Sequence, residues 1–175
     1  SFLSSSDEVE VEDASQVCRF VGTVRYAEVT VDIECDKGDL VVITGPVGSG
    51  KSTLLATLAR ALRPLTGTVI ASSKRAYVSQ RPFLSEGSIE ENILFGLARD
   101  DERLRDAVRR AQLTNDLRAL PCGLEARVGP AGVQLSGGQR ARVALARALY
   151  AQPSLCLLDD VLSAVDAHTG AAIWS

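Results

Sequence analysis

Apolar and polar residues alternate in some stretches of this chain and recur at helical spacing in others. Val9 and Val11 alternate with Glu10 and Glu12, and Val29, Val31 and Ile33 repeat the alternation, which predicts strands with one buried face. Leu40–Thr44 is wholly apolar and β-branched toward its end, the pattern of a strand covered on both faces. Lys51–Leu62 has helical periodicity and stops before Pro64. Thr68–Ala71 and Arg75–Ser79 read as strands, and Asp36–Asp39 as a turn. Ser88 and Glu91 form a capping-box pair, so a helix starts there. Asp101–Gln112 places Leu104, Ala107, Val108 and Ala111 on one helical face, with Arg103, Arg105, Arg109 and Arg110 expected on the solvated one. Asn115–Ala119 is a short helix, Gly137–Ala151 a long one closed by Pro153, Leu155–Asp159 a buried strand with Cys156 in the core, and Ala167–Trp174 a last helix. Strands alternating with helices predict an α/β domain with a largely parallel sheet.

Two loops change the picture from fold to chemistry. Gly45-Pro46-Val47-Gly48-Ser49-Gly50-Lys51-Ser52 lies between a predicted buried strand and a predicted helix, the context in which G-x-x-x-x-G-K-[ST] binds phosphate. Gly48 and Gly50 let the backbone curl so that successive N–H groups face an anion. The helix starting near Lys51 adds its positive end. Lys51 can neutralise β/γ-phosphate charge, Ser52 can ligate Mg²⁺, and Thr53 is placed to donate to an α-phosphate. Four apolar residues, Leu155–Leu158, then lead to Asp159, the arrangement that brings a carboxylate to Mg²⁺. Leu135-Ser136-Gly137-Gly138-Gln139 opens the long helix and forms a second candidate anion-binding N-terminus.

The ordered set GPVGSGKS, YVSQRPF, LSGGQ, LCLLDD and SAVD resembles the nucleotide-binding domain of an ATP-binding cassette (ABC) transporter, from about residue 9 onward. GPVGSGKSTLL, AYVSQRPFLSEGSIEENILFG and LLDDVLSAVDAH are most similar to the first such domain of C-subfamily, multidrug-resistance-protein-type transporters. The resemblance implies a P-loop NTPase cassette: a mostly parallel sheet, an antiparallel β edge and a helical subdomain at about 82–150 that carries the signature motif. Residues 1–15 would be a linker or edge segment and 16–175 the domain, with its C-terminal part, including the switch histidine, expected beyond Ser175. It also implies roles. Gln80 would touch Mg²⁺ and the attacking water. Ser136, Gly137, Gly138 and Gln139 would bind the γ-phosphate of ATP held by a second cassette in a head-to-tail dimer, and Ser163–Asp166 would lie at that interface. Lys51, Gln80 and Asp160 would serve catalysis, and Ser52, Gln80 and Asp159 the metal. Asp160 stands where most of the family has Glu, which implies slow hydrolysis. The resemblance also implies an adenine-stacking aromatic upstream of Lys51: Phe20 fits the family's spacing best, Tyr26 is the later alternative, and neither residue is the third reading.

Composition narrows the partners. Lys+Arg number 19 against 22 Asp+Glu, a net charge of −3, so no basic field invites nucleic acid. No apolar run approaches the ~20 residues of a membrane span. The four cysteines form no C-x-x-C pair, which points to reduced thiols rather than a zinc site. There is no Met, so the chain is expected to be a piece of a longer protein. The expected setting is the cytoplasmic side of a membrane, bound to transmembrane domains, with ATP and Mg²⁺. A regulatory, essentially non-hydrolysing nucleotide-binding module of the same transporter type is the first alternative. A soluble ABC ATPase acting on nucleic acid or ribosomes is the second.

Overall fold

The computed structural model describes residues 16–27, 29–130 and 132–161. The chain divides into two compact units, the first running through Tyr77 and resuming at Ser154–Leu157, the second comprising Val78–Pro153 and the chain from Leu158. The predicted strand at Val9–Val11, the last helix at Ala167–Trp174 and the segment Ser163–Asp166 lie outside the described residues.

In the first unit, β1 (Gln16–Thr23) is central to an antiparallel sheet, flanked by β2 (Thr30–Asp36) and β3 (Thr66–Ala71). The β1/β3 crossing is so close that a Cβ on Gly22 would come 2.2 Å from the Thr66 carbonyl oxygen. One face of this sheet, with Val17, Cys18, Phe20, Val24 and Ala71, packs with Leu54 and Leu58 of α1 (Lys51–Leu58) and with Leu155 and Leu157. The helix ends four residues before its periodicity does. Arg60 takes a left-handed φ of 58°, and the amides of Ala61 and Leu62 both turn back to Ala56 O.

β4 (Arg75–Val78) pairs with β7 (Leu155–Leu158). Ser154 N donates to Lys74 O and Asp159 N to Val78 O, so the two strands run parallel. This is the one parallel strand pair among the described residues, where a mostly parallel sheet was expected. The difference lies at Leu40–Thr44, which carries no strand; Leu40 and Val42 are 70% and 72% exposed. An apolar run becomes a strand only when a ladder satisfies its backbone, and among the described residues β7 takes β4 as its partner. Burial in β7 alternates, with Leu155 and Leu157 inside and Cys156 exposed, so Cys156 is not a core residue.

The second unit is mostly helical. A short antiparallel pair joins β5 (Gly87–Ser88), directly before α2 (Ile89–Leu94), to β6 (Arg127–Val128). Of the remaining helices, α3 (Asp101–Arg110) and α4 (Thr114–Ala119) precede β6 and α5 (Gly137–Tyr150) follows it. Ile89, Ile93, Leu104, Ala107, Ala111, Val143, Ala146 and Tyr150 form its core. The expected capping box of α2 is present, with Glu91 N donating to Ser88 Oγ and Ser88 N to the Glu91 carboxylate. The arginine face of α3 is only partly solvated. Arg109 and Arg110 pair with Asp106 at the surface, whereas Arg103 lies over the Tyr150 ring, 4.0 Å from its centroid.

Candidate functional site

The phosphate-loop candidate belongs to the first unit. Residues 45–48 are exposed and lead into α1 through Gly50, which caps the helix at φ 90°. Gly48 has φ 82°. Both are left-handed values that a side chain would strain, and Gly50 is also crowded: a Cβ there would sit 2.4 Å from Ala27 Cβ. The loop is therefore seated against the turn at Arg25–Ala27. Lys51 Nζ donates to the carbonyls of Gly45 and Pro46, each at 2.8 Å, which draws the ammonium across the loop. Ser52 is exposed and Thr53 partly so, at the helix start. Curled amides, a helix N-terminus, an ammonium and a hydroxyl suit a polyphosphate with a hard cation.

Phe20 does not fit the role expected of it. It is fully buried, on the face of β1 that packs on α1, and presents no ring face to a base. Its position in the strand period, beside Cys18 and opposite Ile33, dictates this. Tyr26 is 81% exposed, in a left-handed conformation at φ 66°, one residue from the Ala27 that meets Gly50.

The second unit gathers Gln80, Asp159 and Asp160. Asp159 follows β7 and is buried, its N–H bonded to Val78 O at 2.9 Å, so the parallel pair fixes where the carboxylate begins. Asp160 is exposed and left-handed, at φ 51°. Gln80, two residues past β4, donates from Nε2 to Asp160 Oδ2 at 3.0 Å. Gln80 and Asp160, eighty residues apart, thus meet because the strands before them are neighbours. Carboxylate oxygens and an amide oxygen here are the donor types that Mg²⁺ takes.

The signature candidate is also in the second unit. Ser136 caps α5 in a reciprocal box: Gln139 N donates to Ser136 Oγ at 3.2 Å, and Ser136 N to Gln139 Oε1 at 2.9 Å. Ser136 and Gly137 are exposed. Gln139 differs from the expectation that it contacts nucleotide, because both ends of its amide are engaged within the chain, Nε2 donating to Asp116.

The sequence reading missed two anchors. Asp116 receives Gln139 and a two-pronged contact from Arg142. Arg147, near the end of α5, donates to Asn92 O, Asn92 Oδ1 and Phe83 O, and its guanidinium lies 4.4 Å from the Phe95 ring centroid. Burial holds its pKa below the usual guanidinium range. Both anchors join residues far apart in the chain, so no local spacing signals them.

The sequence model of the family described as "ABC transporter" matches residues 29–163. Similar proteins include an ABC-type transporter of Zymoseptoria tritici, 42% identical over 158 residues, which cover 90% of this chain and 12% of that protein. ATP-binding cassette sub-family C member 2 of Mus musculus is 35% identical over 183 residues, covering 97% and 12%. ATP-binding cassette sub-family C member 3 of Homo sapiens is 42% identical over 145 residues, covering 83% and 10%. The chain spans about a tenth of the length of the curated relatives it matches.

Proposed function

The chain belongs to the ABC transporter family, and from that premise we propose that it is the ATP-binding cassette of a sub-family C-type transporter, using nucleotide binding and slow hydrolysis to drive substrate movement across a membrane. The observation that carries this reading is the loop at 45–52, with left-handed Gly48 and Gly50 before α1 and the Lys51 ammonium drawn across it. Lys51 would neutralise the terminal phosphates, and Ser52 and Asp159 would hold Mg²⁺, which when bound screens the phosphate charge. Thr53 would donate to the α-phosphate. Tyr26, rather than Phe20, would lie against the base, as its exposure beside the loop supports. Ser136, Gly137 and Gly138 would face ATP held by a second cassette. That partner, the transmembrane domains and the cytoplasmic side of the membrane belong to the same proposal.

The regulatory alternative has one observation in its favour. The carboxylate expected to act as base is the short Asp160, and its Oδ2 already accepts a hydrogen bond from Gln80. A general base must reach the proton it removes, and a carboxylate held back on Gln80 reaches less far. Binding without appreciable turnover is then the cassette's contribution.

The test of the shared reading is Lys51→Ala in the intact transporter. ATP affinity at this cassette, measured by equilibrium binding under non-hydrolysing conditions, should fall by on the order of tenfold or more, since a charge-assisted contact to phosphate is worth about 1.5–3 kcal/mol. Unchanged affinity would refute the assignment of the loop.

A further inference from the structure

The N-terminal turn of α5 is braced by a residue outside every motif. Asp116, on α4, has a side chain only 16% exposed, and its partner Arg142 is 13% exposed. Arg142 donates from Nε to Asp116 Oδ2 at 2.7 Å and from Nη2 to Oδ1 at 3.0 Å. Gln139 donates from Nε2 to Asp116 Oδ1 at 3.2 Å. An ionised carboxylate only accepts, so it fixes which end of the Gln139 amide faces it. The NH₂ end must point to Asp116, and Oε1 is left to accept from Ser136 N at 2.9 Å. The reversed amide would set oxygen against carboxylate and NH₂ against N–H, losing both bonds.

The consequence falls on the first turn. Of the N–H groups there, that of Ser136 goes to Gln139 Oε1 and that of Gln139 to Ser136 Oγ. The first intrahelical bond is Arg140 N to Ser136 O. Gly137 and Gly138 are therefore the two residues of this turn whose N–H groups have no acceptor within the helix. Ser136 Oγ, already an acceptor, keeps its own proton for an outward partner.

We infer that Asp116, backed by Arg142, is a positioning residue for the signature turn, holding Gln139 as a brace so that Gly137 N–H, Gly138 N–H and the Ser136 hydroxyl present the anion-binding set. Gln139 works inward in this arrangement rather than as a nucleotide ligand. The inference rests on the proposal that this turn meets the terminal phosphate of ATP held by a second cassette.

The experiment uses the intact transporter with both cassettes. It measures the ATP concentration for half-maximal nucleotide trapping at the partner's phosphate loop, alongside ATP affinity at this cassette's own loop. Asp116→Ala should raise the first by on the order of tenfold, as expected for a lost hydrogen bond to a charged group, and leave the second within about twofold. Asp116→Asn, which keeps the shape and one acceptor oxygen and so serves in case the alanine variant fails to fold, should give a smaller rise of about threefold, since one charge-assisted contact becomes a neutral one. A parallel loss at both loops with a matching fall in Tm would reduce Asp116 to a general stabiliser and overturn the inference, as would no change at the partner's loop in either variant. Gly137→Glu separates the two levels, because a carboxylate in the turn should repel phosphate. If Gly137→Glu blocks trapping and the Asp116 variants do not, the inference alone falls. If Gly137→Glu has no effect, the proposed role of the turn falls and the inference with it.

Discussion

Lengthening the side chain at Asp160 separates slow hydrolysis from binding alone. Asp160 Oδ2 accepts from Gln80 Nε2 at 3.0 Å, and the residue is left-handed at φ 51°. In Asp160→Glu the carboxylate moves out by one carbon–carbon bond, roughly 1.5 Å. A misplacement of about 1 Å at a reacting centre changes rates by on the order of 10²-fold, which sets the gross gain. Two effects oppose it. The Gln80 hydrogen bond is weakened or remade, a loss of about 0.5–1.5 kcal/mol. Glu also lacks the short polar reach that lets Asp sit in the left-handed region, where L-residues lose roughly 1–2 kcal/mol. If half of each midpoint is realised, the opposition is about 1.25 kcal/mol, or roughly eightfold. The net expectation is an increase on the order of tenfold in single-turnover ATP hydrolysis at this cassette, measured in the intact transporter with the partner's own site inactivated. A rate that stays level or falls would refute the argument that reach limits the site.

Three further outcomes follow from side chains described above. Tyr150→Phe keeps the buried ring but removes the hydroxyl that accepts from Asp100 N and donates to Ala98 O; it should lower unfolding free energy by about 1–3 kcal/mol in denaturant titration, and a loss below about 0.5 kcal/mol would contradict the network. Phe20→Leu should destabilise the fold by about 1–2 kcal/mol and leave ATP affinity unchanged, whereas Tyr26→Ala should weaken ATP binding several-fold, as loss of base–aromatic stacking worth about 1–3 kcal/mol predicts, with little effect on stability; the reverse pattern would return the stacking role to Phe20. Burial, reinforced by Cys35, raises the Cys18 thiol from 9.0 to about 11. The unfolded thiol ionises first, so stability should fall as pH rises from 9 through 11. Cys18→Ala should flatten that part of the profile, and an unaltered slope would sink the assignment.

Local structure was legible in the sequence, and long-range pairing was not. The loop at 45–52, the box at Ser88/Glu91, the helix start at Ser136 and the stripe Leu104, Ala107, Val108, Ala111 follow from spacing within one turn or one face, and each has its structural counterpart, whereas the Gln139 half of the second box was not read. Phe20 went astray because distance along the chain does not tell which face of a strand a residue takes; β1 turns it into the core and leaves Tyr26 in the turn beyond. Leu40–Thr44 has the composition of a buried strand but not the ladder, which composition cannot supply. Cys156 fell on the exposed side of β7 for the same reason of period. Asp116 and Arg147 act across gaps of 23 to 64 residues, distances at which only the fold decides who meets whom.

Under the proposed function, the posture of Lys51 would bear on how fast a nucleotide is captured. Two of its three donors rest on the carbonyls of Gly45 and Pro46. These bonds act as internal guy-ropes that keep the chain curled and the ammonium on the concave side. On the proposed function, an arriving phosphate would meet a preorganised receptor, with much of the ordering entropy of loop and side chain already met in the folded protein. Capture would then be an exchange of carbonyl partners for phosphate oxygens. Its net enthalpy would be the difference between two sets of hydrogen bonds, and its speed would be set by collision and charge attraction more than by loop closure.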